Sequence, residues 1–377
     1  MSPRLRALFI NEGSLGPGVM GQLQAGQMLH AALARSDLDT EFRTLPAMSL
    51  GTKVLTRGVP YLGARDLDLQ PVRWHLAQAV RARRILRWEL ARRRPEVLHV
   101  HGHTLGLLLE REMRWIPTVL SLDATVWDWH AMGIWRDTQR WSRSMLWPSI
   151  ALERRAFAAA RSITAYTHWT ADGVRRELPD ARVVQLHPGI DVERYRPAPR
   201  WPRERPRALF VGGRFEAKGG LELLEAARPL LGVALDLDIV TPAPVPWVPG
   251  TKVHRFQPNE PGLIELFQQA DILVLPSHGD VAPWVVLEAM ACRVAVLAYD
   301  VGAIGELLGG GECGILVREG DVRGLGLALE RLTSDPELRA RLGKAARARV
   351  EACYDARRQN PQLLDLLRRT AHEGLEQ

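Results

Sequence analysis

Two carboxylates separated by seven residues, Asp280 and Glu288, stand in the run Pro276-Ser-His-Gly-Asp280-Val-Ala-Pro-Trp284-Val-Val-Leu-Glu288-Ala-Met-Ala-Cys292. A carboxylate offers two acceptor oxygens and has no donor to satisfy, which suits a pair of ribose hydroxyls. Upstream lies Phe210-Val-Gly-Gly213-Arg214-Phe-Glu-Ala-Lys218-Gly219-Gly220. Its glycines let backbone approach an anion, a following helix supplies unpaired amides, and Arg214 and Lys218 add positive charge, an arrangement fit for a diphosphate. A third run, Gly16-Pro-Gly18-Val-Met-Gly21, has dinucleotide-fingerprint spacing, with Glu41 in the position of a ribose-binding acid. Pro17 removes an amide from that cradle, and Asn11–Leu15 intervene where a tight turn is needed, so the run reads as a long loop over a ligand and not as an NAD motif. His99, His101 and His103 end one apolar run and Asp123 ends another. His99 reads as strand core, whereas His101 and His103 emerge at the strand end. Asp123 either serves the site or caps its own turn.

Twelve short apolar runs must position these groups. The first set is Ala7–Ile10, Glu41–Leu45, Val97–His101, Thr118–Leu122, Ser162–Tyr166 and Val183–Leu186. The second is Ala208–Val211, Leu235–Val240, Val253–Phe256, Ile272–Leu275, Val294–Ala298 and Gly314–Val317. Alternation of such runs with amphipathic stretches predicts α/β architecture with parallel sheets. The expected organisation is a Rossmann-like domain over 1–195, a Pro- and Arg-rich linker over 196–206, and a second Rossmann-like domain over 207–377 ending in a helical tail. Ligands of doubly wound sheets lie beyond the carboxyl ends of the strands, so a cleft between two facing sheets is the expected site.

Taken together, these runs resemble the E-x7-E signature and accompanying loops of the retaining, nucleotide-sugar-dependent glycosyltransferases of group 1 (family 4), which have the GT-B fold. Val97-Leu-His-Val-His-Gly102, Pro188-Gly-Ile-Asp191, Gly302-Ala-Ile-Gly-Glu306 and Glu312-Cys-Gly-Ile-Leu-Val317 extend the resemblance over most of the chain. The resemblance implies that Glu288 binds the donor ribose and that Asp280 contacts the transferred sugar. It also implies that Arg214 and Lys218 hold the diphosphate in a front-face transfer that needs no metal or cofactor. Gly16, Gly213, Gly219 and Trp284 join the expected donor site, Asp123 the catalytic set, and His101 and His103 the acceptor side, which makes 1–195 the acceptor-side domain and 207–377 the nucleotide-sugar-binding one. Several positions depart from the pattern: Asp280 replaces a longer Glu, Pro283 and Arg293 replace glycines, Arg214 lies one residue nearer Lys218 than usual, Ala217 replaces an Arg found in one subgroup, and Asp123 stands where the family carries a histidine. A donor-binding protein that has lost transfer is the alternative reading, and epimerisation of the sugar nucleotide is a further one.

The chain has 377 residues, 46% of them apolar and 25% charged, with three scattered cysteines, which excludes a disordered chain, a disulfide scaffold and a cysteine metal site. Its net charge is +7, and Arg73–Arg94 alone holds eight arginines against Glu89. Eight of the twelve tryptophans fall between Trp74 and Trp147. Arginine mixed with indole over 73–147 predicts contact with an acidic membrane surface, and no nucleic-acid signature accompanies it. The N-terminus lacks signal-peptide character, and a cytoplasmic protein, peripheral on the inner membrane face, is expected.

Overall fold

The computed structural model describes residues 5–12, 23–63, 68–132, 143–187, 189–201 and 203–375. The Gly16–Gly21 run, Pro188, Trp135 and Trp141 lie outside the described residues. Twelve strands form where the apolar runs predict them, with ends shifted by at most two residues: β1 Arg6–Asn11, β2 Asp39–Thr44, β3 Val97–His101, β4 Thr118–Leu122, β5 Ser162–Ala165, β6 Val183–Gln185, β7 Arg207–Val211, β8 Asp236–Val240, β9 Thr251–His254, β10 Ile272–Leu275, β11 Ala295–Tyr299 and β12 Gly314–Val317. They make two six-stranded sheets, ordered β2-β1-β3-β4-β5-β6 and β12-β11-β10-β7-β8-β9. Every pairing is parallel. Parallel strands covered on both faces require continuous apolar sequence, and β1, β4 and β10 are buried along their whole lengths.

In the first sheet, side-chain alternation separates two cores. Leu8, Ile10, Leu98, Val100 and Leu120 pack with Ala82, Leu86 and Phe157. Ala7, Phe9, Val97 and Val119 pack with Leu29, Leu33, Leu364, Leu367 and Ala371. The last four-residue periodicity belongs to the C-terminal helix Ala356–Leu375.

That helix corrects the expected domain boundaries. One compact unit comprises 1–188 together with 357–377, and the other comprises 189–356. Residues 357–377 therefore leave the second domain, because their leucines complete a face of the first sheet. The segment 196–206 is likewise no free linker. It belongs to the second unit, where Arg200 pairs with Asp271 at 3.1 Å, Arg205 pairs with Asp236 at 3.1 Å, and the Trp201 amide donates to Gln269 at 3.0 Å. Within that unit the two chain crossings lie side by side: Ile190 N donates to Tyr354 O at 2.7 Å, and Ala356 N donates to Ile190 O at 3.0 Å.

Strand order reverses between β1 and β3 in the first sheet and between β7 and β10 in the second. Loops leaving adjacent strands diverge at such points and open a crevice at the carboxyl ends. The residues singled out for chemistry follow these four strands or the neighbouring β4.

Candidate active site

In the second unit, the loop after β7 is shaped by an aromatic anchor and a glycine. Phe215 is 1% exposed and meets Phe210 edge-on at 5.4 Å, pinning the middle of the loop to the strand it left. Gly219 has φ +74°, and a Cβ there would lie 1.9 Å from the carbonyl oxygen of Pro276. The β7 loop can approach the β10 loop only because that atom is missing. The contact brings Lys218 Nζ to 2.5 Å from Asp280 Oδ2, with a second hydrogen bond donated to Gly279 O at 3.3 Å. Gly213 and Arg214 are exposed in the same loop, with Arg214 four residues before Lys218. Ser277, fully buried, donates to Gly279 O at 2.9 Å and fixes the turn that carries Asp280.

Asp280, expected to contact a sugar, is thus bonded to Lys218 of its own unit. His278 is tethered on both sides, its ring nitrogens each 3.1 Å from a carboxylate oxygen, one of Glu222 and one of Glu319.

Glu288 lies in the second turn of helix Trp284–Ala291, whose N-cap is Pro283. Trp284 is 9% exposed. The Glu288 side chain is buried, which pushes its carboxyl up to about 7, while a hydrogen bond from Tyr195 acts in the opposite direction. Tyr195 is fully buried and packs edge-on against Phe267 at 5.8 Å. Sequence reasoning missed it: a lone tyrosine four residues after Asp191 belongs to no motif. Arg293 follows the helix with φ +62°, the left-handed conformation that explains glycine at this place in related patterns.

In the first unit, the groups gather beyond β1, β3 and β4. Asp123 Oδ1 accepts from the Ala124 amide at 2.9 Å and lies 3.9 Å from His103 Nδ1. The aspartate therefore both braces its own turn and faces a histidine. Burial lowers His103 to about 4. Its Nε2 is buried with no hydrogen-bond partner among the described residues. Glu12, just past β1, was not foreseen, although an acid ending a buried strand at the reversal of strand order is a readable signal. Its Oε1 accepts from Thr104 Oγ1, and burial raises its carboxyl, with the Asp123 charge adding in the same direction. Gly102 beside it has φ +115°.

His101 takes a different direction from His103. It lies 2.9 Å from the Tyr166 hydroxyl and borders a cavity of about 30 Å³ with His99, Ser121, His187 and Asn360. That volume holds one or two waters and no sugar. Burial lowers His99 to about 3 and His101 to about 4. His99 is strand core, bonded to Ser121 at 2.7 Å.

Much of the Arg/Trp region is internally committed. Arg73 pairs with Asp68, Arg83 and Arg87 with Glu112, and Arg93 with Asp39. Arg92 stacks on Trp88 at 4.4 Å and Arg94 on Trp115 at 4.8 Å. Among the described residues, no group of three or more His, Cys, Asp or Glu side chains could hold a metal ion, and no helix is long and apolar enough to cross a membrane.

Comparison with known proteins matches the description "Glycosyltransferase Family 4" over residues 42–194 and "Glycosyl transferases group 1" over residues 249–349. The D-inositol 3-phosphate glycosyltransferase of Streptomyces avermitilis is 30% identical over 54% of this chain and 50% of its own. Glycogen synthase of Mycobacterium tuberculosis is 29% identical over 46% of this chain and 45% of its own. The chain thus spans about half the length of the curated relatives it matches. In fold it is similar to sucrose-phosphate synthase of Thermosynechococcus elongatus, with a TM-score of 0.73 at 17% identity over 97% of this chain and 99% of that one. HepE of Anabaena, in complex with UDP, gives a TM-score of 0.65 at 14% identity over 96% and 99%. With two parallel six-stranded sheets, its loops at the strand reversals and both family profiles in chain order, the protein belongs to the group 1, family 4 glycosyltransferases of GT-B fold.

Proposed function

We propose that the chain transfers a sugar, with retention of configuration, from a nucleoside-diphosphate sugar to a glycan or lipid-linked acceptor on the cytoplasmic side. The observation that carries this reading is the Lys218 ammonium held between Asp280 and the Gly279 carbonyl at the β7/β10 reversal. HepE was solved with UDP, which supports a nucleoside diphosphate as the second unit's ligand. In this reading the Glu288 carboxylate accepts from the ribose hydroxyls, and Trp284 and the glycine loop, Gly213 and Gly219 included, border the donor. The bond from the sugar's anomeric carbon to the phosphate breaks as a bond to the acceptor oxygen forms. The acceptor's proton passes to the leaving phosphate. Lys218 and Arg214 stabilise the charge that develops there, which supplies electrostatically what a metal would otherwise supply. Asp280 orients Lys218 before the donor arrives and faces the sugar afterwards. On the acceptor side, Asp123 with His103 is the candidate pair, and His101 supports it from behind through Tyr166.

Replacing Lys218 with Ala should lower kcat by about 10²- to 10³-fold, in line with removal of one charge-stabilising donor. An unchanged kcat would sink the assignment. Proton NMR of the first product formed reads the anomeric configuration, and an inverted product would refute retention. Activity undiminished by a chelator is expected of a metal-independent enzyme. A second reading, donor binding without transfer, draws support from Pro283, which offers no N–H to a sugar. It predicts nucleotide binding with no turnover across acceptors.

A further inference from the structure

Exposed large apolar side chains are scattered over most of the described surface, but five fall within twelve residues: Leu50 79%, Val54 67%, Leu55 65%, Val59 42% and Tyr61 67% exposed. The helix Leu50–Leu55 buries none of its own residues. A six-residue helix with no buried face has too few bonds to persist by itself. Here its backbone is held from outside. Arg73 donates to the carbonyls of Leu55 and Arg57, both at 3.0 Å, and pairs at 2.9 Å with Asp68. Asp68 is fully buried and accepts from the Val59 amide at 2.8 Å. Ser49 caps the helix. The fold thus fixes a backbone whose apolar side chains touch water, which soluble surfaces rarely do over a contiguous patch.

From Leu45 to Gly63 the only ionisable groups that carry charge near neutrality are Lys53 and Arg57, and no acid is present. Both basic residues are exposed. Apolar groups to insert, flanked by cations alone, fit an interfacial segment that lies on anionic lipid. The segment follows the carboxyl end of β2, the end at which Glu12, His103 and Asp123 gather. The exposed Trp88 and Trp115 sit elsewhere: Arg93, next to Arg92 and Arg94, pairs with Asp39 at the first residue of β2, at the opposite end of the sheet.

We infer that Leu50–Tyr61 is a membrane-docking segment, which seats the first unit on an acidic bilayer with the carboxyl end of its sheet toward the lipid. This contact is independent of the transfer reaction proposed above and moves the expected membrane surface away from 73–147.

Vesicle flotation of the full chain tests it, with vesicles of phosphatidylcholine alone and with phosphatidylglycerol added. The wild-type chain should float with acidic vesicles and far less with neutral ones. The combined change Leu50→Ser, Val54→Ser and Leu55→Ser should weaken that binding at least tenfold, and Lys53→Glu with Arg57→Glu should remove its salt-sensitive part. The pair Trp88→Ser and Trp115→Ser should bind as the wild type does. Absence of wild-type flotation, or flotation insensitive to the serine changes but lost with the tryptophan pair, would overturn the inference. So would a dimer in light scattering that the serine changes convert to monomer, since a second copy would then be the occupant. Should the serine variant fail to fold, Val54→Cys in a Cys353→Ser background carries an environment-sensitive dye. A blue shift on acidic vesicles is expected, and none would overturn the proposal.

Discussion

Charge around the two candidate sites is treated in opposite ways. In the second unit the Lys218 cation is paired with Asp280 at 2.5 Å, and His278 and His254 each lie against carboxylates, His254 2.7 Å from Asp238. The first unit pairs arginines with acids, but its buried histidines are kept uncharged. Burial lowers His99 and His187 to about 3 and His101 and His103 to about 4, so all four are neutral near pH 7. Burial also lowers His75, which stands 3.2 Å from His130. A surface prepared for a diphosphate gains from cations already held by a carboxylate, because the incoming anion finds them oriented. A surface meant for a sugar hydroxyl or a lipid-linked acceptor gains from neutral rings that donate and accept without binding counter-ions. Under the proposed function, charge is then the property that separates donor from acceptor duty.

The largest expected break in this comparison is acid. An unfolded histidine titrates near 6.5, so below that pH the unfolded chain takes up protons that the folded unit refuses, and stability falls with pH. The loss begins near 6.5 and continues down toward the folded values of about 4 and 3. Each of the four groups loses about 1.4 kcal/mol between pH 7.5 and 5.5, together about 5 kcal/mol. Hydrogen exchange followed by mass spectrometry at the two pH values should show the first unit loosening well before the second. Equal loosening would deny that the histidines are responsible.

Gly219→Ala attacks the other unit. The substitution sets a Cβ against the Pro276 carbonyl and requires φ +74° of a residue that resists it. The expected loss is about 3 kcal/mol in urea unfolding, from a left-handed backbone term of about 1–2 kcal/mol plus overpacking. Nucleotide binding should weaken with it, because Lys218 moves. An unfolding midpoint like that of the wild type would mean the loops are not in contact.

Glu288 sharpens the same comparison, since it is the one buried acid of the second unit raised to about 7. If Glu288 accepts from the ribose hydroxyls as proposed, the ionised form binds better, so nucleoside diphosphate affinity should rise with pH through about 7 and level off above it. One pH unit below that point, affinity should drop about tenfold, or about 1.4 kcal/mol. For folding the sign is reversed. A carboxyl raised above its unfolded value stabilises below pH 4.5, and that stabilisation is lost as pH climbs toward 7. Calorimetric titration across pH 5.5–8.5 reads the binding arm, and a Tyr195→Phe variant should shift its midpoint upward by removing a hydrogen bond that favours the charged form.

The smallest effect concerns Arg293, exposed at φ +62°. Arg293→Gly should raise stability by about 1 kcal/mol, measured as a higher thermal midpoint. A fall would show that the arginine side chain stabilises the fold by more than its backbone strain costs.

Legibility from sequence followed burial. Parallel strands covered on both faces are written as short uninterrupted apolar runs, and all twelve were readable, as were the loops after β7 and β10. Partnership was not readable. The leucines of Ala356–Leu375 reveal an apolar face but not which sheet accepts it. The segment 196–206 looks like a charged linker until Asp236 and Asp271, which sit at strand starts far along the chain, are seen to receive it. Glu12 and Tyr195 act through residues about 90 positions away, and no local spacing encodes that.

The C-terminal helix has a consequence for biosynthesis. Leu364, Leu367 and Ala371 seal a face of a sheet whose first strand contains Ala7 and Phe9. A ribosome releases domains in chain order, and each ordinarily folds as it emerges. Here the unit that begins first must finish last. Its sheet keeps an uncovered apolar face while residues 189–356 are made, so the middle of the chain can complete its own fold earlier. That face stays open to aggregation in the nascent protein until the helix Ala356–Leu375 has emerged.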